Sequence, residues 1–231
     1  MFSVLFEVQP RPERQEDYLA FARLLRPELE KIDGFVDNVR LRSLTRAGWL
    51  LSLSGWRDEK SLVRWRTNAL HHGVQQKGRD EVFLDYHLRV GEVTHDSHPP
   101  PGHVLREQRL DETEVGAATV VTLIDARRGS GVDADRPADL AAGIGLPSDA
   151  PGLVAWDVFE ALLDPGAFVL AMSWRDRASA AAFERSRQAP PDRRLRHVRI
   201  VRDYGLLDRR EAPQYYAPPA PPEGGAVAPQ A

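Results

Sequence analysis

The feature that most constrains this 231-residue chain is that it repeats itself. The stretches "LLSLSGWRDEKSLVRW" (50–65) and "FVLAMSWRDRASAAAF" (168–183) both run from apolar residues into Trp-Arg-Asp. Each then carries a Ser three residues after the Asp and ends on an aromatic. The offset is 118 residues. At that offset residues 2–7 lie over 120–125, Gly34-Phe35-Val36 over Gly152-Leu153-Val154, and Gly48 over Gly166, with an unbroken register from 34 to 68. Agreement at so many places means a duplicated unit of ~100 residues, not one large domain.

Each copy reads as β-α-β-β-α-β. "FSVLFEV" is a strand by its apolar and β-branched content. "ERQEDYLAFARLLRPELEKIDG" spaces Tyr18, Phe21, Leu25, Leu29 and Ile32 at helical intervals and stops at Gly34, with a kink or break predicted at Pro27. "FVDNVRLRSL" and "WLLSLSGW" flank a Gly-containing turn and form a hairpin. "EKSLVRWRTNALHHGVQQKG" is read as a single second helix, and "VFLDYHLRVGEV" as the last strand. This is the split βαβ of the ferredoxin-like fold. Such a sheet has helices on one face only, and its bare face must be covered. The second copy is the natural cover. The predicted fold is therefore α+β, two ferredoxin-like units fused into an intramolecular dimeric α+β barrel.

The domain reading places the first unit at 1–95, a linker rich in Pro and charge at 96–116, and the second unit at 117–210. A C-terminal extension follows at 211–231, packed on the barrel at first and disordered from about 217, where "APPAPPEGGAVAPQA" has polyproline character at most. The second copy is worn. Its first helix shrinks to "RPADLAAGIGLPSDAPG". Its last strand matches only at an offset of 110, His197 over His87, which implies eight residues lost from the second helix region. The lost part is the counterpart of the segment holding His71, His72, Gln75, Gln76 and Arg79. A site is therefore expected in the first copy, with the second as scaffold.

Composition narrows the chemistry. A net charge of −3 gives no reason to expect nucleic acid or an anionic membrane as partner. The absence of cysteine excludes disulfides, thiolate nucleophiles and thiolate-bound metal. No leader is expected from "MFSVLFEV", and no apolar run approaches the ~18 residues of a membrane span, so the expectation is a cytoplasmic protein. His95, His98 and His103 show no ligand spacing, and no metal site is predicted.

The residues Trp56-Arg57-Asp58, Trp65-Arg66-x-Asn68, His71, Gln75, Gly78-Arg79 and Tyr86-x-Leu88-Arg89-Val90 together resemble the antibiotic biosynthesis monooxygenase superfamily. The first ~95 residues carry the likeness, and 117–210 look like a divergent second copy. The resemblance implies an oxygenase of secondary metabolism that oxidises or cleaves a reduced polycyclic aromatic polyketide, of anthrone or hydroquinone type, with O2. Fused members resemble angucycline ring-opening enzymes. It implies no tightly bound cofactor, with reduced flavin as a diffusible reductant; whether the fused barrels pair again into a homodimer of pseudo-dimers is left open by the sequence. The superfamily also includes haem-degrading enzymes. Their axial His falls ten residues after the Trp of the second helix, where this chain has Gln75, and Glu7-Val8 stands where they carry Asn. A non-catalytic ligand-binding or scaffold barrel is the rival from another class, and a filled interior in the first half would mark it.

Triplet oxygen reacts poorly with closed-shell molecules, but a deprotonated anthrone or hydroquinone can pass it one electron. The protein then needs a base, donors for the anion and a pocket that excludes water. His71 is the candidate base, since a neutral imidazole titrates near working pH. On a continuous helix Asn68 lies near it as a hydrogen-bond donor and Trp65 stands two turns back as an aromatic wall. His72 is the substitute base if the helix is rotated. Arg66, Tyr86, Arg40 and Phe35 complete the expected substrate-binding set. Trp56 and Trp174 recur at strand ends and are read as core.

Overall fold

The computed structural model describes residues 1–129, 136–185 and 193–213; the tail expected to be disordered lies outside these. The strands are β1 (Phe2–Pro10), β2 (Phe35–Ser43), β3 (Leu50–Trp56), β4 (Phe83–Asp96), β5 (Val120–Arg127), β6 (Leu153–Ala161), β7 (Ala167–Trp174) and β8 (Leu195–Gly205). The helices are α1 (Gln15–Glu30), α2 (Glu59–Arg66), α3 (Ala69–Lys77), α4 (Pro137–Ile144) and α5 (Arg177–Arg185). The strands close into one antiparallel barrel in the order β1-β3-β2-β6-β7-β5-β8-β4. Two four-stranded sheets thus meet across their bare faces and are stitched at both edges. The β2·β6 seam has three residue pairs, from Leu41↔Ala161 to Ser43↔Phe159. The β4·β8 seam is longer, from His87↔Gly205 to Asp96↔Arg196. None of the described helices is long and apolar enough to cross a membrane.

Strand alternation sorts the side chains. Leu5, Leu41, Leu51 and Leu53 point inward and meet Val121, Leu123, Phe159, Val198 and Ile200 of the second half. Buried among these is an ion cluster. Glu7 accepts from Arg89 and Arg46, Arg46 reaches Asp157 at 2.8 Å, and Arg89 donates to Ser173 at 2.8 Å. Burial alone would raise the Glu7 pKa, but Arg89 and Arg46 together hold it below the usual carboxylate range.

The repeated Trp-Arg-Asp-x-x-Ser is a corner that starts a helix. Asp58 accepts from the Ser61 amide at 2.8 Å and Asp176 from the Ser179 amide at 2.8 Å, which caps α2 and α5 alike. Gly34 and Gly152 sit opposite at φ +88° and +84°, and a Cβ on either would stand 2.1 Å from the Ser61 or Ser179 hydroxyl. Duplication preserved this geometry in both copies.

Three sequence expectations are corrected. α1 runs from Gln15 to Glu30 without a break at Pro27, which gives up its own hydrogen bond to the Arg23 carbonyl while the helix continues. The expected second helix is two helices, α2 and α3, parted at Thr67-Asn68. The last strands match at an offset of 107, not 110: Phe2 pairs with Glu92 and its counterpart Val120 pairs with Arg199. Eleven residues are therefore missing between 118 and 107. The counterpart of Arg89 is Arg196, which bonds Asp125 at 2.6 Å, as Arg89 bonds Glu7. His87 and His197 are not equivalents. His87 bonds Asp203 at 2.6 Å, and His197 lies between Thr122 and Glu184.

Candidate active site

Between α1–α3 and the outer face of the first sheet lies a cavity of about 210 Å3. Its apolar walls are Val4 and Phe6 of β1, Leu88 and Val90 of β4, Phe21 and Leu25 of α1, and Leu62, Trp65 and Val74 of α2 and α3. Helical spacing brings Tyr18, Ala22, Leu25 and Leu29 onto the inner side of α1, where all four line the space. The roof depends on the break between α2 and α3. Asn68 accepts from the His71 amide at 3.1 Å and so caps α3, which turns that helix back over the cavity.

His71 stacks on Trp65, with ring centroids 4.1 Å apart and planes inclined by 16°. Its Nδ1 lies 3.0 Å from the Trp65 carbonyl oxygen. A carbonyl only accepts, so Nδ1 carries the proton and Nε2 keeps its lone pair. Burial pushes the imidazole pKa down to about 4, against the opposing pull of the Trp65 carbonyl. At neutral pH His71 is thus an uncharged acceptor held in one tautomer with Nε2 free to take a proton, but, contrary to the expectation from sequence, burial carries its pKa well below working pH, which weakens it as a base.

The floor is polar. Asn38 and Arg40 of β2 and Ser52 and Ser54 of β3 face the cavity. Asn38 donates to Ser52 Oγ at 2.9 Å, and its own amide oxygen is buried without a partner. The Ser54 hydroxyl accepts from the Trp56 indole at 3.0 Å. Arg40 stands by the buried Tyr18 hydroxyl, whose pKa burial raises while Arg40 opposes. At the far end Tyr86 accepts from Arg209, and the Arg209 guanidinium lies 5.9 Å over the Tyr204 ring. Burial, with Tyr86 beside it, pushes the Tyr204 hydroxyl up to about 12.

Among the described residues, the second half packs the equivalent space. At the positions of Asn38, Arg40, Ser52 and Ser54 it carries Trp156, Val158, Leu170 and Met172. These pack with Ile124, Leu140, Ile144, Phe168 and Phe183 into a continuous core that fills the space between helices and sheet. Among the described residues, the worn copy packs this space and the first copy leaves it open.

Of the residues expected from sequence, His71, Trp65, Arg66, Tyr86 and Arg40 line the cavity. Asn68 does not. It is absent from the cavity lining, and its side-chain oxygen accepts from the His71 amide to cap α3. His72 is exposed on the outer side of α3, and Phe35 packs against Trp56 at 5.5 Å instead of facing the cavity. Sequence reasoning missed Asn38, Ser52 and Ser54, and the Arg202, Tyr204 and Arg209 wall. The first group was readable as polar residues whose counterparts 118 positions on are apolar. The second had no local signal, because it arrives across the β4·β8 seam.

Haem does not fit. Gln75 lines the cavity where the axial imidazole would be needed, and an amide is a poor iron ligand. A space of about 210 Å3 is also too small for a tetrapyrrole. Among the described residues no three His, Asp or Glu side chains converge as a metal site.

A barrel of paired ferredoxin-like sheets with one open cavity over the first sheet defines the class, and sequence comparison agrees. A family profile for antibiotic biosynthesis monooxygenases matches residues 1–77. The chain is also 48% identical over 228 residues to a protein named jasmonate monooxygenase ABM of Pyricularia oryzae, an alignment covering 94% of this chain and 99% of that one. This chain belongs to the antibiotic biosynthesis monooxygenase family and is an oxidoreductase. Solved structures similar to it include an anthrone oxidase-like protein, at 15% identity and TM-score 0.32, covering 91% of this chain and 95% of that one. A conserved protein from Methanosarcina mazei Go1 matches at 19% identity and TM-score 0.36, over 38% of this chain and 88% of its own. Neither structural likeness bears on the reaction.

Proposed function

We propose that this monooxygenase oxidises a small, mostly apolar substrate with a single ring, bound between the Trp65–His71 pair and the outer face of the first sheet. His71 acts as general base, and no cofactor is tightly bound. The observation that carries this reading is a neutral imidazole with a free Nε2 on the wall of an apolar cavity of about 210 Å3. That volume lies below the ~300–1,000 Å3 typical of sites for drug-sized ligands. The relative's name makes jasmonate, a ring ketone with a carboxylate arm, the first substrate to test. Deprotonation beside the ketone gives an enolate, which can pass an electron to O2 where the neutral molecule cannot. Cleaving the resulting peroxide to alcohol and water takes two electrons, which diffusible reduced flavin can supply.

A reduced aromatic polyketide of anthrone or hydroquinone type is the second reading. The flat face of the stacked Trp65 and His71 rings favours it. Three or four fused rings would need the cavity to widen, which puts it second. Oxygen uptake with jasmonate and with a reduced anthrone, each with and without reduced FMN, separates the two. His71→Ala is expected to lower turnover of the true substrate by ~100-fold or more. Unchanged turnover in that variant would remove His71 from the chemistry.

A further inference from the structure

The worn second half closes one end of the first half's cavity. Arg202 and Tyr204 reach it from β8, and Arg209 from the segment that follows. Arg66 of α2 meets them there, since the Tyr204 hydroxyl feels the charges of Arg209, Arg66 and Arg202 together. Among the described residues none of these three guanidinium groups has a carboxylate partner. Arg209 is bonded to the neutral Tyr86 hydroxyl, and Arg66 Nε is buried without a partner, as are the Nε atoms of the acid-paired Arg89, Arg196 and Arg199, so the absent acid is what sets Arg66 apart. The nearby acids are committed elsewhere. Glu59 holds Arg109 at 2.8 Å, Asp203 holds His87 at 2.6 Å, and Glu211 accepts from the Thr113 hydroxyl at 2.8 Å. The half-buried Arg66, Arg202 and Arg209 differ in this from the fully buried Arg89, Arg196 and Arg199, each of which has an acid. Asp111 feels the charge of Arg202 but is itself paired with Arg109, and three like charges converging with no acid in contact repel one another, a repulsion relieved when an anion enters.

We propose that Arg66, Arg202 and Arg209 form a carboxylate clamp, so that the enzyme takes a free carboxylic acid and discriminates against its neutral derivatives. Planar guanidinium forks match a carboxylate's two oxygens, which gives orientation as well as attraction. The clamp gives the second half a part in the first half's site, because its last strand supplies Arg202. The inference rests on the proposed function only for the size and place of the substrate.

The test is binding of hexanoate and of the uncharged hexanamide to the full chain, read by tryptophan fluorescence, since Trp65 lines the cavity. Arg66→Gln and Arg209→Gln are made separately, so that one folding failure does not remove the test. Arg210→Gln serves as control, being exposed and paired with Asp208 at 2.5 Å. Hexanoate is expected to bind at least ~10-fold more tightly than hexanamide, and each cavity variant to lose most of that preference. Equal binding of acid and amide by the unaltered protein overturns the clamp, as does a preference that survives in both variants. Acid preference lost in the variants, with neither jasmonate nor anthrone oxidised, leaves the clamp standing and removes the substrate reading.

Discussion

At the scale of single residues, His71 shows how position sets chemistry. An unfolded chain gives its imidazole the ordinary value of 6.5, whereas burial in the fold lowers it to about 4. Between those values the unfolded chain binds a proton that the folded one refuses. The stability linked to His71 is therefore full above pH 6.5, is lost as pH falls towards 4, and changes no further below. Urea midpoints across that window should fall more steeply for the unaltered protein than for His71→Gln. An NMR titration should show the His71 ring neutral down to about pH 4; a midpoint near 6.5 would mean it is not buried in solution. Residue type singled out His71 in the sequence, and it lines the cavity. Its tautomer was not legible there, because it depends on a carbonyl six residues earlier that only the break before α3 brings within 3.0 Å.

At the scale of elements, β1 and β3 show the two copies solving one problem differently. The Trp56 indole donates to Ser54 of its own strand, whereas its counterpart Trp174 donates to Thr122 of the neighbouring strand at 2.9 Å. Val4 stands where Thr122 would, and Met172 where Ser54 would. Ser54→Met alone should orphan a buried indole N–H and cost about 1–3 kcal/mol. Adding Val4→Thr should recover most of that loss while the methionine occupies the cavity, so stability returns and turnover does not. Urea denaturation of the four proteins in the cycle checks it; independent, additive losses would mean the indole is satisfied some other way. Strands and hairpins were plain from alternation. The split between α2 and α3 was hidden because the apolar spacing continues through it, and only the capping tendency of Asn68 hinted at it.

At the scale of the whole molecule, the barrel interior belongs to neither half. Leu5, Leu41, Leu51 and Leu53 have their neighbours in Val121, Leu123, Phe159 and Ile200, and Arg46 of the first half is held by Asp157 of the second. Neither sheet can cover its inner face alone, so the intact chain should unfold in one calorimetric transition despite its two units. Two resolved transitions would show that the halves fold independently and that the shared interior contributes little.

The sequence by itself determined the duplication, the βαββαβ unit, the barrel it forces and the half that kept a cavity. These follow from period and alternation, which are local properties repeated along the chain. Tertiary structure alone decided the 107-residue register of β8 against β4, the turn of α3 over the cavity and the arrival of Arg202 and Arg209 beside Arg66. Each of these depends on hydrogen bonds and contacts between segments far apart in sequence, and no spacing within a single segment encodes them.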